Sequence, residues 1–264
     1  MNKIILMALL LTGFCLSTIN VASAKPPTGY QLVWSDEFSG NTLDTNKWEN
    51  WLVGKRRDAL NTTNAITVGH GHLTITSYSE DGKYYTGMIS TRNLFQPVLG
   101  YWEARIKYQD APGMWSAFWL QTPTMGQPLD DPGKAGVEID ICEHRAVSTE
   151  GETIAGKVQH TLHWNGYGKG HKSIGHMTPE LKLGSGYHVY GFQWTTNEYR
   201  FYIDGKLTWI NDKAVSHAPE FAILSSEIEN TAWAGHIPAG GYGDAAHSDT
   251  KMIVDYVRYY AVKK

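Results

Sequence analysis

Hydrophobic and polar positions alternate with a period of two residues along most of the chain. In His72–Ser77, the apolar Leu73 and Ile75 share one face and threonines occupy the other, and Gly100–Tyr108 alternates in the same way. This period is typical of half-buried β-strands. The same pattern predicts further strands at Thr86–Ser90, Trp115–Gln121, Val137–Glu143, Lys157–Trp164, Tyr187–Trp194, Tyr199–Ile203, Lys206–Ile210, Glu220–Glu227 and Lys251–Val262.

These strands predict an all-β fold with almost no helix. Asp204 and Gly205 separate two of them and form a strong hairpin signal. At most a turn or two of helix is expected, near Asn211–Ala218. Many strands joined by glycine-rich turns indicate a two-sheet antiparallel β-sandwich, a concanavalin-like jelly roll with a binding cleft on its concave sheet. We expect the long irregular segments Thr122–Gly136 and Asn165–Gly186 to rim that cleft.

The first 24 residues have the pattern of an export signal. Lys3 precedes the apolar stretch Ile4–Leu16, and a small-x-small cleavage pattern ends at Ala24. The apolar stretch is too short to span a bilayer. We therefore expect a signal peptide at 1–24 and secretion, to the extracellular space or the periplasm, after cleavage near Ala24. No linker or repeat divides 25–264, which favours a single domain.

Composition narrows the class of protein further. The formal net charge is −3 and the basic residues are scattered, so the chain lacks the electrostatic footprint of a protein that binds nucleic acid or anionic membranes. The 10 Trp and 15 Tyr exceed the needs of a core. Flat amphipathic rings suit sugar faces, and ordinary sheet packing is the alternative for many of them. Cys142 is the only cysteine after residue 24, so the predicted domain must rely on its core.

One strand near the middle of the chain carries three acids, Glu138, Asp140 and Glu143. In a regular strand Glu138 and Asp140 share a face, but Glu143 would point into the core, where an unpaired carboxylate is very costly. A bulge at Ile141 and Cys142 would turn both of these residues inward and return Glu143 to the acidic face. The pattern therefore predicts a bulged strand with three carboxyl groups on one face.

Three crowded carboxyl groups suit acid–base chemistry. Like-charge repulsion raises some of their pKa values, so one carboxyl can stay protonated near neutral pH. Retaining glycoside hydrolysis uses a nucleophile and an acid/base about 5–5.5 Å apart. Glu138 and Glu143 can meet this spacing across a bulge, and Asp140 can poise Glu138. A solvated acidic edge or a cation site of oxygen ligands is the alternative, although calcium sites usually lie on loops.

The motif Glu-x-Asp-x-x-Glu at residues 138–143 resembles that of glycoside hydrolase family 16, in its bulged, laminarinase- and agarase-like subgroup. Similar segments occur along nearly the whole chain, at Trp34–Phe38, Gly100–Arg105, Gly113–Leu120 and Val254–Tyr260. The resemblance implies that Glu138 is the nucleophile, Glu143 the acid/base and Asp140 the assisting acid.

The resemblance also suggests which residues contact the sugar. Trp115 and Trp119 match aromatic residues that include sugar-stacking positions in the family, with core packing as the alternative for Trp119. His163 lies where the family often has a histidine near the cleavage point, and a structural role competes for any lone histidine. His160 and His163 differ by an odd offset, so at most one of them faces the cleft of an unbulged strand.

The function implied is that of a secreted retaining endo-β-glycosidase acting on an extracellular polysaccharide. The first expectation is β-1,3- or β-1,3(4)-glucan. The alternative is an agarase-, porphyranase- or carrageenase-like β-galactanase, because Leu224–Glu227 and the segment around Arg56 and Arg57 depart from glucan-cleaving members. Adjacent arginines can bind sulfate, and solvated arginines are the other interpretation. A non-catalytic carbohydrate-binding protein is a third alternative. Such a protein would be expected to lose the catalytic glutamates, whereas Glu138 and Glu143 are both present.

Few partners other than the polysaccharide are expected. The chemistry requires no cofactor and no metal in the active site, while a structural calcium ion is compatible with the sequence. We expect a monomer that binds neither nucleic acid nor a membrane.

Overall fold

The computed structural model describes residues 26–181, 186–230 and 233–264. The predicted signal peptide at 1–24 lies outside the described residues. None of the helices in these ranges is long and apolar enough to cross a membrane. The strands in chain order are β1 (Tyr30–Asp36), β2 (Glu49–Asn50), β3 (Gly54–Arg56), β4 (Ala59–Asn61), β5 (Ile66–Gly69), β6 (His72–Thr76), β7 (Tyr78–Glu80), β8 (Lys83–Thr86), β9 (Met88–Ser90), β10 (Gly100–Lys107), β11 (Met114–Gln121), β12 (Glu138–Arg145), β13 (Gln159–Trp164), β14 (Lys172–Met177), β15 (His188–Trp194), β16 (Tyr199–Ile203), β17 (Lys206–Asn211), β18 (Phe221–Ile228) and β19 (Lys251–Val262).

Two large antiparallel sheets form the predicted sandwich. The eight-stranded sheet has the order β17-β16-β15-β10-β19-β6-β5, with β1 pairing with β19. The seven-stranded sheet has the order β14-β13-β12-β11-β18-β9-β2 and carries the acidic strand β12 near its middle. A small third sheet, β3-β4-β8-β7, contains a parallel pair between β4 and β8. The two-sheet prediction did not include this third sheet, whose strands have only three or four residues.

The core lies between the inner faces of the two large sheets. Trp102 and Ile106 of β10, Phe118 of β11 and Leu224 of β18 are each 0% exposed and belong to one apolar cluster. Fully burying a large apolar side chain contributes about 1.5–3 kcal/mol. Cys142 is buried in the same cluster as a free thiol. Because Cys142 is the only cysteine after residue 24, the domain was predicted to rely on its core for stability, and this packed cluster agrees with that prediction.

The predicted strands are present, with bounds that differ by a few residues. Thr86–Ser90 divides into β8 and β9, and the hairpin prediction is confirmed by positive φ angles at Asp204 (49°) and Gly205 (75°). The segment Asn165–Gly186 was predicted to be irregular, but it contains β14. This edge strand was missed because most of its residues are exposed, so no apolar alternation marks it.

The described residues contain almost no helix, as predicted. Residues 211–218, all of them described, form no helix. Two short helices lie elsewhere, a 3₁₀ turn at Thr63–Ala65 and α1 at Pro132–Ala135. α1 begins after Asp131, whose side chain accepts a hydrogen bond from the backbone N–H of Lys134. An aspartate cap followed by proline is a helix-start signal that apolar periodicity does not detect.

Candidate active site

The predicted bulge lies in β12 and reorients the acidic strand. Across β11, Phe118 pairs with Cys142 and Trp119 pairs with Asp140, which leaves Ile141 without a partner. Across β13 the register shifts in the same interval. Ile141 and Cys142 are 1% and 0% exposed, and both belong to the core cluster. The inward orientation predicted for both residues is confirmed.

The bulge brings the three predicted acids together on the outer face of the seven-stranded sheet. Asp140 and Glu143 are 6% and 4% exposed, and Glu138 is partly buried. Glu138 and Asp140 line a cavity of about 520 Å³. Glu143 is covered more deeply and accepts a hydrogen bond from the Thr161 hydroxyl at 2.6 Å. Residues lining the cavity also include Trp51, Arg56, Arg57, Arg92, Trp115, Trp119, Gln121, Tyr167, Phe221 and Glu227.

Two donors that the sequence did not predict hold Glu138. Gln121 Nε2 donates to Glu138 Oε2 at 2.7 Å, and the Tyr167 hydroxyl donates to the same oxygen. Gln121 ends β11 beside Glu138, so strand alternation could have placed it on the cleft face. The same reasoning applies to Thr161 on β13. Tyr167 belongs to the loop after β13, where no sequence period predicts the direction of a side chain.

Burial governs the protonation of the three acids. It raises the pKa of Glu138 to about 8, and repulsion from Asp140 acts in the same direction. Burial also raises the pKa of Asp140 well above its ordinary value, with Glu143 as the strongest repelling neighbour. The pKa of Glu143 is raised by burial, against the hydrogen bond from Thr161. This group of carboxyls therefore retains protons near neutral pH.

His163 lies beside two of the acids. Its Nε2 is 3.4 Å from Asp140 Oδ2 and 3.9 Å from Glu138 Oε1. Its Nδ1 is 2.9 Å from Nε2 of His171. His160 is 0% exposed and points to the opposite side of β13, as the odd offset between the two histidines had predicted.

The same group offers three atoms of metal-ligand type. Within the described ranges, Glu138, Asp140 and His163 place one such atom each within 4.8 Å of one another. Two carboxyls and an imidazole are a donor set that divalent cations accept. The crowding of acids is equally what glycosidase chemistry needs, so we assign no metal ligand here.

The two predicted sugar-stacking tryptophans have different environments. Trp119 is 7% exposed, donates its indole N–H to Ser225 Oγ at 3.0 Å, and packs against Trp51 with ring centroids 5.8 Å apart. It lines the cavity as part of the floor. Trp115 is more exposed, but the guanidinium of Arg57 lies over its ring at 4.4 Å. Stacking of a sugar on that face would require Arg57 to move.

Glu227 connects these arginines to the cleft. It is 4% exposed and pairs with Trp115 across β18 and β11. Arg56 Nη2 donates to Glu227 Oε1 at 2.8 Å, and Arg57 Nε donates to Oε2 at 2.7 Å. Arg57 also donates to Glu229 at 2.9 Å. The adjacent arginines are therefore ordered residues of the cavity wall, and the interpretation as freely solvated side chains is wrong.

A β-sandwich with three acids on a bulged strand that faces a cavity defines a class of glycan-cleaving enzyme. The family model described as "Beta-porphyranase A-D, GH16 domain" matches residues 31–262. The chain belongs to glycoside hydrolase family 16, and the predicted enzyme class, a glycoside hydrolase, is confirmed.

Individual proteins similar to this chain differ in what they cleave. Glucan endo-1,3-beta-glucosidase A1 of Niallia circulans is 28% identical over 92% of this chain, which spans 40% of that protein. This chain also spans under half the length of several other similar curated proteins. Porphyranase B of Zobellia galactanivorans shares the fold, with a TM-score of 0.72, 22% identity and coverage of 89% of this chain and 94% of that one. A chain from work on endo-acting O-glycanases of the human gut microbiota gives a TM-score of 0.72, 23% identity and coverage of 90% and 92%.

Proposed function

We propose that this protein is a retaining endo-β-glycosidase that hydrolyses a polysaccharide. The observation that carries the proposal is the bulged strand, because it puts Glu138, Asp140 and Glu143 on one face, where Glu138 and Asp140 line the cavity. Two carboxyls in such an arrangement are the required pair for double displacement.

In the first step, an oxygen of ionised Glu138 forms a bond to the anomeric carbon as the glycosidic C–O bond breaks. The proton of Glu143 passes to the departing oxygen. In the second step Glu143 takes a proton from water, the water oxygen bonds to the anomeric carbon, and Glu138 leaves as a carboxylate. Asp140 lies between the two acids in the strand and its raised pKa lets it retain a proton beside Glu138.

The proposal is tested with Glu138→Gln and Glu143→Gln. Each variant should lose activity on the polymer by about 10²–10⁴-fold or more, since each lacks a group that reacts. Glu103→Gln is a matched control, because Glu103 is a fully buried acid of the opposite sheet. Substantial cleavage by Glu138→Gln or Glu143→Gln would reject the assignment. Nuclear magnetic resonance of the first products should show retained β configuration, and inversion would exclude a covalent intermediate.

For the substrate we favour a β-galactan that carries anionic groups. Arg56, Arg57 and Arg92 all line the cavity, and guanidinium groups suit sulfate or carboxylate oxygens. The porphyranase-type family description supports the same choice. The second candidate is β-1,3- or β-1,3(4)-glucan, the first expectation from the sequence, because several similar curated proteins are named as β-glucan-cleaving enzymes.

A polysaccharide panel separates the two substrate classes. Reducing ends should appear with the sulfated galactans porphyran or carrageenan, in smaller amounts with neutral agarose, and remain near background with laminarin and mixed-linkage glucan. Chemical desulfation of the responding galactan should lower its cleavage rate. Release from glucans alone would overturn the preference for galactans and leave the hydrolase assignment intact.

The location and the cofactor requirement complete the proposal. We propose secretion of a monomer after removal of residues 1–24, with activity that needs no cofactor and no metal ion. Dialysis against a chelator should leave the rate unchanged. A lost rate restored by a divalent cation would instead assign a metal role to Glu138, Asp140 and His163, and a lower melting temperature alone would indicate a structural ion.

A further inference from the structure

Tyr167 lies in the loop between β13 and β14, and its side chain is 64% exposed. Its hydroxyl nevertheless reaches into the cleft and donates to Oε2 of Glu138, the oxygen that also accepts from Gln121. A large exposed side chain gains little from holding one position unless a specific contact fixes it. The second oxygen, Oε1, lies 3.9 Å from His163 Nε2.

Two long loops hold Tyr167 over the cleft by contacting each other. Gly126 of the first loop lies so close to the second that a Cβ on Gly126 would come within 2.7 Å of the backbone of Gly166. Asp130 of the first loop accepts from Asn165 Nδ2 at 2.8 Å, and its backbone N–H donates to Asn165 Oδ1 at 3.0 Å. Tyr167 directly follows both contact residues of the second loop. We call this pair of contacts the loop clasp.

The second loop also contacts the site behind Glu138. His171 stacks on His163 with ring centroids 5.1 Å apart and an interplanar angle of 15°. His171 Nε2 is 2.9 Å from His163 Nδ1. The loop therefore meets the acidic group at two points, once through Tyr167 and once through His171.

We propose that Tyr167 is a positioning residue, whose hydroxyl fixes Oε2 of Glu138 so that Oε1 faces the anomeric carbon. This inference rests on the proposed function, because it requires Glu138 to be the nucleophile. Tyr167 gives up no proton in the reaction. Its O–H donates to the ionised carboxylate before attack, which holds that group in place, and in the second step it stabilises the negative charge that develops as the carboxylate departs.

Removal of the hydroxyl should also change the ionisation of Glu138. The hydrogen bond from Tyr167 lowers the pKa of that carboxyl, against burial and neighbouring acids that raise it. Without the donor, the ionised nucleophile forms at higher pH. The titratable groups that face Glu138 from the surrounding elements are Asp140 and Glu143 on its own strand, His163 on β13, Tyr167 on the loop and Glu220 before β18.

The test is Tyr167→Phe, which removes only the hydroxyl and leaves the ring. The acidic limb of the kcat/KM profile should move upward by on the order of one pH unit, the scale of one lost charge-assisted hydrogen bond. KM at the pH optimum should change less than kcat. Tyr202→Phe is the matched control, since it removes a hydroxyl that donates to Gln193 Oε1 at 3.2 Å on the opposite sheet.

Each outcome decides the inference separately from the proposed function. A shifted acidic limb in Tyr167→Phe and an unchanged one in Tyr202→Phe support the role. An unchanged profile in Tyr167→Phe overturns it, while an inactive Glu138→Gln keeps the hydrolase assignment. A raised KM with an unmoved limb also overturns it, because Tyr167 would then only contact the sugar. Full activity of Glu138→Gln would reject the proposed function itself.

A second pair of variants tests the loop clasp. Gly126→Ala places a Cβ against Gly166 and meets an unfavourable φ of +83°, so the loops must separate. Gly126→Ala should shift the acidic limb as Tyr167→Phe does. The double variant Gly126→Ala/Tyr167→Phe should shift it little further, since both changes remove the same hydrogen bond to Glu138. Gly168→Ala is the control on the same loop, because a Cβ there has no neighbour within 4 Å. Equal profiles for Gly126→Ala and Gly168→Ala would contradict the clasp.

Discussion

Glu227 is a carboxylate with almost no contact with solvent, and each of its oxygens accepts from a different arginine. When one partner of such a pair is removed, the other charge remains partly desolvated without compensation. Arg56 and Arg57 keep 29% and 33% of their side-chain surface exposed, so solvent screens part of that cost. Glu227 thus determines where two guanidinium groups of the cavity wall are held.

We predict that Glu227→Gln lowers the free energy of unfolding by about 2 kcal/mol, below the usual cost of breaking a fully buried pair. It should also weaken cleavage of an anionic polymer, because both arginines lose their anchor. Urea denaturation and kcat/KM measure the two effects. Glu198→Gln is the control, since it breaks a pair with Arg200 on the other sheet in which Glu198 is less buried than Glu227. Equal destabilisation by both variants would contradict the special role of Glu227.

Some of the site residues could be predicted from the sequence, and the contacts of others could not. Glu138, Asp140 and Glu143 could be identified from spacing, because a buried unpaired Glu143 would be too costly in a regular strand. The partners of Arg56 and Arg57 could not, since Glu227 follows them by 171 and 170 positions and the link depends on how a small sheet docks. Sequence patterns specify local alternation, not contacts of that separation.

At the scale of elements, the bulge of β12 displaces the backbone carbonyl group of Ile141, which needs a hydrogen-bond donor. His160 lies between the two sheets and its Nδ1 is 2.7 Å from the carbonyl oxygen of Ile141. Its Nε2 is 2.9 Å from Thr208 Oγ1 on β17. Burial lowers the pKa of His160 to about 4, so the imidazole ring is neutral near neutral pH. A carbonyl only accepts, so the single proton of the neutral ring lies on Nδ1 and donates to Ile141.

We predict that His160→Leu lowers kcat on the order of 10²-fold, because a released bulge misplaces Glu143 by a fraction of an ångström to an ångström. His160→Asn should recover much of that loss, since its amide N–H can replace Nδ1–H. Thr208→Val serves as the control, because it leaves the hydrogen bond to Ile141 intact and removes the contact with the other ring nitrogen together with the hydrogen bond to the Phe201 carbonyl. Wild-type kcat in a destabilised His160→Leu protein would show that His160 supports the fold and not the bulge.

Elements differ in how far their sequence determines them. The central strands were predictable because one face is buried and apolar, as in β6 and β16. β14 and the small third sheet were not, because exposed or very short strands lack a clear period. The cleft loops escaped prediction for a different reason. Their conformation depends on contact between two glycines of separate loops, Gly126 and Gly166.

Across the whole molecule, acids with raised pKa values link stability to pH. Burial raises the pKa of Glu103 to about 7 and those of Glu138 and Glu220 to about 8. The folded protein therefore binds more protons than the unfolded chain above about pH 4.5, and stability is lost as pH rises through these values. His160 acts oppositely, since its lowered pKa costs stability only below about pH 6.5. Between about pH 6.5 and 8.5, the change of stability with pH therefore reports the ionisation of these buried acids and not that of His160.

We predict that the melting temperature falls as pH rises from about 6.5 to 8.5, since the buried acids must ionise. Glu220→Gln should flatten this decline, because it removes one of the titrating groups. Glu37→Gln is the contrasting variant, since hydrogen bonding with Arg258 lowers the pKa of Glu37 and its contribution is lost only at acidic pH. A melting temperature that rises across the window would refute the linkage. Calorimetry at low ionic strength gives the comparison.

At this scale the fold followed from the sequence and the substrate did not. A sandwich results wherever many amphipathic strands must bury one face each. The choice between a glucan and a galactan depends on loops and on Arg56, Arg57 and Arg92, whose positions follow from long-range packing. The proposed reaction thus depends on acids of one strand. The preference for a polymer depends on segments that are far apart in the chain.

The bulge has a consequence for changes in chain length. Because Ile141 and Cys142 both point inward, deletion of either one leaves a single inward residue between Asp140 and Glu143 and restores simple parity. The three acids would stay on the cleft face, and the strand would lose the displaced carbonyl that His160 binds. Insertion of a third residue would also restore parity, but the middle one of the three would then face the cleft between Asp140 and Glu143 and hold the two acids four residues apart along the strand. The active strand therefore accepts shortening by one residue far better than lengthening by one, an asymmetry that substitutions alone never reveal.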